Sequence, residues 1–191
     1  MNVEERKKAL RRQFSAARKA LTPMEHLVLD GAICSRIAGL AEFAEAATVV
    51  AYASDGFEVN VRSIIEMALR LGKTVAMPRY DVAKKVYELA QITVFERDMV
   101  PGKYGLLEPS SDLPIADLSE KTLWLIPAVA FDKNGTRLGR GGGFYDRMLE
   151  NAPGKRVGVF YHCQFSSETL PQAEHDQILT MAVTEKECIN F

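Results

Sequence analysis

The sequence has few cysteines, no long apolar segment and no excess of charge of either sign. Its cysteines, Cys34, Cys163 and Cys188, are odd in number and lack a Cys-x-x-Cys spacing, which argues against a disulfide framework and against a zinc site. The formal net charge of −1 gives no electrostatic reason to expect nucleic acid or membrane as a partner. The N-terminus is charged throughout, and no apolar run approaches the length that spans a bilayer. These absences favour a reduced, cytoplasmic protein.

The order of strand-like and helix-like segments predicts the fold class. A βαβ unit is predicted from a β-rich run at 48–53, a helix that Asn60 caps and Gly72 ends, and a strand at 74–77 that Pro78-Arg79 ends. The alternation continues without a repeat or a low-complexity linker. We therefore expect one α/β domain over residues 1–191, with a mostly parallel Rossmann-like sheet flanked by helices.

Further elements are predicted on both sides of this unit. Residues 3–20 have helical spacing, and a second helix is predicted to begin at a capping box at Thr22. An alternating strand within 85–95 is expected near a sheet edge, and another strand is expected at 156–161. Residues 100–114, rich in Pro, Gly and Ser, predict an irregular loop.

Ligand sites in parallel sheets lie beyond the carboxyl ends of the strands. The loops that follow four predicted strands should therefore face one cleft; these loops begin after Ala53, Met77, Pro127 and Phe160. Glu58, in the first loop, is either a cleft carboxylate or an exposed acid, and its position alone leaves both open.

The stretch from Leu123 to Glu150 carries the strongest local signal. An apolar run and an Asn-Gly turn precede four glycines in five residues, and a helical pattern begins at Phe144. A strand, a glycine loop and a helix start are the parts of a phosphate cradle, because successive backbone N–H groups converge on an anion. The glycines are Gly139, Gly141, Gly142 and Gly143.

This loop has three interpretations. A flexible linker is disfavoured because the loop contains no serine and is closely flanked by charged and aromatic residues. A packing turn, in which glycine serves only the backbone shape, stays open. A phosphate loop is favoured by Arg137, Arg140 and Arg147, which can neutralise phosphate oxygens. It is not a Walker A loop, because no Lys-Ser/Thr follows the last glycine.

Asp146 lies in the first turn of the predicted helix, where an acid is commonly only a dipole partner. Beside a bound polyphosphate, however, its charge would repel the ligand unless a cation intervened. If phosphate binds here, Asp146 predicts Mg²⁺, held by one or two carboxylates and by phosphate oxygens. A second carboxylate is then needed, and the late triplet Glu174-His175-Asp176 offers one, although alone such a triplet is more often a solvated turn.

Together these residues resemble the signature of the 5-formyltetrahydrofolate cyclo-ligase family. The central matches are Phe131-Asp132, Gly135, Arg137-Leu138-Gly139-Arg140-Gly141, Gly143 and Tyr145-Asp146. The resemblance covers nearly the whole chain and includes Lys7-x-x-Leu10-Arg11, Pro78-Arg79, Tyr104-Gly105-Leu106-x-Glu108-Pro109 and Gln164. It implies ATP-dependent closure of 5-formyltetrahydrofolate, mono- or polyglutamylated, to 5,10-methenyltetrahydrofolate, with release of ADP and phosphate.

The resemblance also implies the site residues. ATP contacts would fall on Lys7, Arg11, Arg137, Leu138, Gly139, Arg140, Gly141, Gly142, Gly143, Phe144 and Tyr145. Folate contacts would fall on Ala53, Glu58 and Phe144, and Mg²⁺ would be held by Asp146 and Asp176. Arg140 is the implied catalytic residue, which would stabilise the transferring phosphoryl group. The basic face of helix 3–20, which pattern alone explains as solvated, would then contact nucleotide.

Two positions depart from the pattern of some family members. Gly142 stands where a lysine can occur, and Phe144 stands where tyrosine is common. Two other functions stay open at this point. One is a non-catalytic regulator that binds nucleotide or folate, and the other is an enzyme similar to sugar-phosphate isomerases, which would need a general base and no ATP.

Overall fold

The computed structural model describes residues 2–102 and 105–191. Within these ranges the strands of the central sheet lie in the order β12 (Cys188–Asn190), β11 (Met181–Val183), β9 (Lys155–Val159), β6 (Thr122–Ile126), β1 (Thr48–Val50), β2 (Thr74–Asp81) and β3 (Val86–Ile92). The inner strands β11, β9, β6, β1 and β2 pair in parallel. The edge strands β3 and β12 are antiparallel to their neighbours. The predicted single α/β domain with a mostly parallel sheet is confirmed.

The helices begin largely where their capping residues predict. They are α1 (Val3–Lys19), α2 (Pro23–Ala38), α3 (Ala41–Glu45), α4 (Arg62–Arg70), α5 (Phe95–Asp98) and α6 (Phe144–Leu149). Thr22 and Glu25 form the predicted capping box of α2, and Asn2 and Glu5 form another at α1. None of these helices has both the length and the apolar character needed to cross a bilayer.

Two small sheets accompany the central one. The strands β10 (Phe165–Ser166), β7 (Ala130–Asp132) and β8 (Arg137–Leu138) form the first, and β4 (Met99–Pro101) with β5 (Leu107–Pro109) form the second. The prediction of an irregular loop over 100–114 is therefore wrong in part. Each of these two strands has three residues and ends in a proline, so its composition resembles a loop. Tyr104, which belongs to the family resemblance, lies outside the described residues.

Apolar side chains alternate between the two faces of the central sheet, as the strand repeat of two residues requires. Val49 and Leu125 pack on one face with residues of α2 and α4, whereas Val50 and Trp124 pack on the other with residues of α6. A third cluster joins α1 to the small sheet of β7 and β8; it contains Phe14, Val129, Ala130, Leu138 and Leu170. This cluster fixes α1 beside the segment that carries the glycines.

Two local predictions need correction, and one apolar run is divided between two strands. β2 does not end at Pro78-Arg79 but continues to Asp81, because both residues pair with the edge strand β3. Val61, not Asn60, is the N-cap of α4, although the Asn60 side chain accepts a hydrogen bond from the Arg62 backbone N–H at 3.0 Å. The apolar run that begins at Leu123 is divided between β6 and β7, which belong to different sheets.

Gly154 precedes β9 with a φ of +100°, and a Cβ there would lie 2.1 Å from the Thr122 carbonyl oxygen. We expect Gly154→Ala to lower the free energy of unfolding by about 3 kcal/mol, because left-handed strain and a backbone clash add together. The matched control is Gly31→Ala in α2, where a Cβ meets nothing within 4 Å. This control should stabilise the protein by about 0.5–1 kcal/mol. Urea unfolding of both variants measures the difference, and equal stabilities would contradict the expectation.

Candidate active site

A cleft of about 480 Å³ lies beyond the carboxyl ends of β1 and β6 and beside β2. Ala53, Pro78 and Pro127 line it, as expected for three of the four loops. The fourth expectation is wrong: Tyr161, which follows Phe160, is fully buried and donates its hydroxyl hydrogen to Asp30 at 2.6 Å. The other predicted residues that line the cleft are Glu58, Arg137, Gly139, Arg140, Gly142, Gly143, Phe144, Tyr145 and Asp146.

The glycine loop forms one wall of this cleft, but its frame differs from the predicted phosphate cradle. It follows β8, a two-residue strand of a small sheet, and precedes α6, a helix of six residues. The axial dipole of so short a helix contributes little, so positive side chains must supply the field for an anion. Gly143, at the N-cap of α6, has φ +63°, which makes glycine the favoured residue at this turn.

Arginine side chains surround this loop. Arg11 of α1 donates its Nε–H to the Gly139 carbonyl oxygen at 3.0 Å, and Arg147 donates to the Gly142 carbonyl oxygen at 2.9 Å. Arg137 is buried, and its Nε finds no hydrogen-bond partner among the described residues. The loop backbone is therefore held from both sides by cations.

Lys7 and Arg11, one helical turn apart on α1, face this region as predicted, although neither lines the cleft itself. Lys7 is buried and donates to Asp176 Oδ2 at 2.7 Å. Burial works against the charged form of Asp176, but the Lys7 ammonium and a backbone N–H outweigh it and hold the pKa of Asp176 below its ordinary value. The triplet 174–176 is thus more than a solvated turn, because its last residue is a paired, largely buried carboxylate.

Asp146 and Asp176 are brought together although they are far apart in the sequence. Asp146 Oδ1 accepts a hydrogen bond from the backbone N–H of Gln177, the residue after Asp176, at 3.1 Å. The same oxygen accepts a bond from Arg137 at 2.5 Å. Both carboxylates therefore use one oxygen each on a neighbouring cation, Asp146 on Arg137 and Asp176 on Lys7.

A second ionic cluster lies on the opposite side of the glycine loop. Arg140 donates to Asp55 and to Glu58, with 2.8 Å between Nη2 and Glu58 Oε1. Burial raises the pKa of Glu58, and the positive charge of Arg140 only partly opposes it. Burial also disfavours ionised Asp55, but the Phe57 backbone N–H and Arg140 prevail, and its pKa lies below its ordinary value.

Arg18 completes this cluster, although it belongs to the basic face of helix 3–20 that pattern alone explains as solvated. Its side chain is 4% exposed, with nitrogens 3.6 Å from Asp55 and 3.8 Å from Glu58. Its Nε and Nη1 make no hydrogen bond with the described residues. The spacing of Lys7, Arg11 and Arg18 is that of one helical face, and the buried Phe14 lies on the same face. That periodicity was the signal that could have identified Arg18.

Gly142 and Phe144, the two positions that depart from the family pattern, lie directly against each other. A Cβ at Gly142 would lie 2.6 Å from the edge of the Phe144 ring, so a side chain at this position requires the ring to move. The ring also packs against Tyr87, with centroids 4.7 Å apart. Leu138 differs from the other predicted residues, because its side chain is buried with Phe14 and its carbonyl oxygen accepts the Val129 backbone N–H at 2.8 Å.

Fold and cleft together define a class: an α/β protein whose ligand site joins a cationic glycine loop to loops at the carboxyl ends of parallel strands. Residues 3–185 match the model of the 5-formyltetrahydrofolate cyclo-ligase family, and the chain belongs to that family.

Relatives support the same assignment over nearly the full length. The chain is 31% identical to the 5-formyltetrahydrofolate cyclo-ligase of Haemophilus influenzae over 92% of this chain and 95% of that one. It is 32% identical to the protein of the same name from Escherichia coli K12 over 87% and 93% of the two chains. Among solved structures, the 5,10-methenyltetrahydrofolate synthetase of Aquifex aeolicus matches with a TM-score of 0.82 and 28% identity, covering 96% and 92% of the two chains.

Proposed function

We propose that this protein catalyses the ATP-dependent cyclisation of 5-formyltetrahydrofolate, mono- or polyglutamylated, to 5,10-methenyltetrahydrofolate, with release of ADP and phosphate. One observation carries the proposal: three distant segments meet at the glycine loop. Lys7 binds Asp176, Arg11 binds Gly139, and Asp146 accepts the N–H that follows Asp176. Membership of the family supports the same reaction.

The phosphates of ATP fit the side of the loop where three cationic side chains gather, each paired with one carboxylate. Lys7, Arg11 and Arg137 lie there, and guanidinium groups bind phosphate oxygens in pairs. The backbone N–H groups of the four loop glycines add donors without side chains that would block the approach. The folate fits the other side, where Ala53, Glu58 and Phe144 line the cleft.

The carboxylates on the phosphate side of the loop also fit Mg²⁺. No cluster of three or more His, Cys, Asp and Glu side chains suited to a metal occurs in the described ranges. A cation here would therefore need oxygens from the bound phosphates in addition to side chains. Mg²⁺ binds in this way, through one or two carboxylates plus phosphate oxygens and water. Asp146 and Asp176 would hold it with the oxygens that Arg137 and Lys7 do not use. When bound, Mg²⁺ would supply charge neutralisation between the phosphates.

The reaction needs positioning and charge stabilisation more than a nucleophilic side chain. The formyl oxygen attacks the γ-phosphorus, and the bond from that phosphorus to the ADP oxygen breaks. The N10 amine then attacks the activated formyl carbon, the carbon–oxygen bond breaks, and phosphate leaves with the former formyl oxygen. N10 loses its proton to water. In phosphoryl transfers of this kind a protein acts through alignment and preorganised donors.

Arg140 is proposed as the main such donor. It lines the cleft between the two sides, and its pairing with Glu58 and Asp55 fixes the guanidinium at their boundary. Arg18 lies close to the same two carboxylates, so Glu58 keeps a positive neighbour when Arg140 turns toward a phosphoryl group.

The described cysteines are free thiols, which fits a cytoplasmic location.

The direct test mixes purified protein, MgATP and 5-formyltetrahydrofolate and follows the near-ultraviolet absorbance of the methenyl product. We expect product only when ATP is present, with one ADP formed per product. Product without ATP would contradict the phosphorylation step. Binding of both ligands without product would identify a regulator instead.

A further inference from the structure

A buried carboxylate at the far end of the cleft has no role in the proposed reaction so far. Glu108 lies in β5 and lines the cleft together with Pro78, Tyr87 and Leu107. Its side chain is 9% exposed, and Oε2 accepts the backbone N–H of Tyr80 at 3.0 Å.

The position of this carboxylate is fixed from two directions. The Tyr80 N–H of β2 holds one oxygen, and Gly102 lies directly against the side chain. A Cβ at Gly102 would lie 2.5 Å from Glu108 Cγ and 2.6 Å from Cδ, so any larger residue would displace the carboxyl group. The site is therefore built around one location of Glu108.

Among the described residues four acids are buried, and Glu108 has the fewest hydrogen-bond and ion-pair partners of the four. Glu58 has two arginines, Asp98 has Arg97 and backbone N–H groups, and Asp132 accepts three backbone N–H groups. Among the residues that the structure describes, the Glu108 carboxylate accepts one hydrogen bond and has no lysine, arginine or histidine within 4.0 Å. A buried carboxylate with so few partners is costly, so a donor from a ligand is the natural complement.

The chemistry of the two proposed substrates limits which group that donor is. Phosphates and the glutamate tail of folate are anions and would be repelled. The adenine amine is flanked by acceptor nitrogens, so a carboxylate would meet one donor and one lone pair. The 2-amino-4-oxopyrimidine ring of the pterin, however, presents N3–H and the 2-amino group side by side. Two parallel N–H···O bonds to one carboxylate follow from this arrangement.

We infer that Glu108 binds the amino-pyrimidine edge of the pterin ring and holds the ring at the end of the cleft that β5 forms. The inference rests on the proposed function and specifies how its substrate is bound. The aromatic wall formed by Tyr87 and Phe144 leads from Glu108 toward the glycine loop, which suits a flat ring system lying along it. Glu58, already engaged by arginines, is left to the other part of the folate.

The test compares wild type with Glu108→Gln, which keeps the size of the side chain but places an amide N–H opposite a donor. At saturating MgATP, KM for 5-formyltetrahydrofolate should rise by about 10- to 100-fold, as for loss of a charge-assisted bond. The KM for ATP should stay unchanged and kcat should change far less, because Glu108 does not touch the reacting groups. Glu120→Gln, an exposed acid outside the cleft, is the matched control.

A substrate-side measurement keeps the inference testable if the variant does not fold. The 2-desamino analogue of 5-formyltetrahydrofolate should show a similar rise in KM with wild-type protein, and Glu108→Gln should no longer distinguish the two substrates. Equal KM values for both substrates with wild type, or an unchanged KM in a folded Glu108→Gln, would overturn the role of Glu108 alone. Wild-type protein without any turnover of 5-formyltetrahydrofolate would instead overturn the proposed function.

Discussion

Asp146→Asn should reduce Mg²⁺-dependent turnover by about 10³-fold, because a metal ion at a transferring phosphoryl group contributes several kcal/mol of charge stabilisation. Asparagine keeps an oxygen that can accept the bonds from Arg137 and from the Gln177 N–H, so the local structure should persist. It removes the negative charge that would hold the cation. Rates measured across a Mg²⁺ titration should show partial recovery at high Mg²⁺, because binding is weakened rather than lost.

The structure changes the best choice of variant at this position. Alanine at this position would remove the hydrogen-bond acceptor of the buried Arg137 as well as the negative charge, and would destabilise the fold by about 3–5 kcal/mol. The matched control is Asp117→Asn, an exposed aspartate outside the cleft. Near wild-type rates of Asp146→Asn at limiting Mg²⁺ would remove Asp146 from the metal site.

Arg140→Ala should lower kcat by about 10²-fold or more, as for the loss of a charged donor to the transferring phosphoryl group. Its side chain lines the cleft and is 48% exposed, so its removal need not disturb the core. Steady-state kinetics with both substrates varied separate kcat from each KM.

The same measurement identifies what kind of residue Arg140 is. An unchanged kcat with only a raised KM for ATP would mean that Arg140 binds nucleotide and does not act on the reacting group. Arg70→Ala, at an exposed position at the end of α4, is the control for loss of an arginine. Arg140→Lys keeps the charge without the planar fork, and a partial recovery of kcat would show that geometry contributes as well as charge.

Long periodic segments were predictable from the sequence. The helices α1 and α2, the βαβ unit and the edge strand β3 follow from apolar spacing and capping residues. The two small sheets were not predictable, because strands of two or three residues are too short to show a period. They bear on the proposed site, since β8 directly precedes the glycine loop and β5 carries Glu108.

Which residues gather at the cleft was largely predictable from the sequence, but how they pair was not. Charge repulsion at a phosphate loop predicts a second acid to accompany Asp146, and in the structure Gln177, the residue after Asp176, donates its backbone N–H to Asp146. No sequence pattern shows that Lys7 and Arg137 already occupy one oxygen of each carboxylate. The burial of Arg18 and Glu108 likewise depends on tertiary contacts between segments far apart in the chain.

The central claim is that ATP phosphorylates the formyl oxygen, and an isotope measurement tests it most directly. 5-Formyltetrahydrofolate carrying ¹⁸O in its formyl group is converted with unlabelled MgATP in unlabelled water, and the released inorganic phosphate is analysed by ³¹P NMR or mass spectrometry. The mechanism predicts that each phosphate carries the formyl ¹⁸O, because the carbon–oxygen bond is the one that breaks. Unlabelled phosphate, formed together with methenyl product, would contradict it.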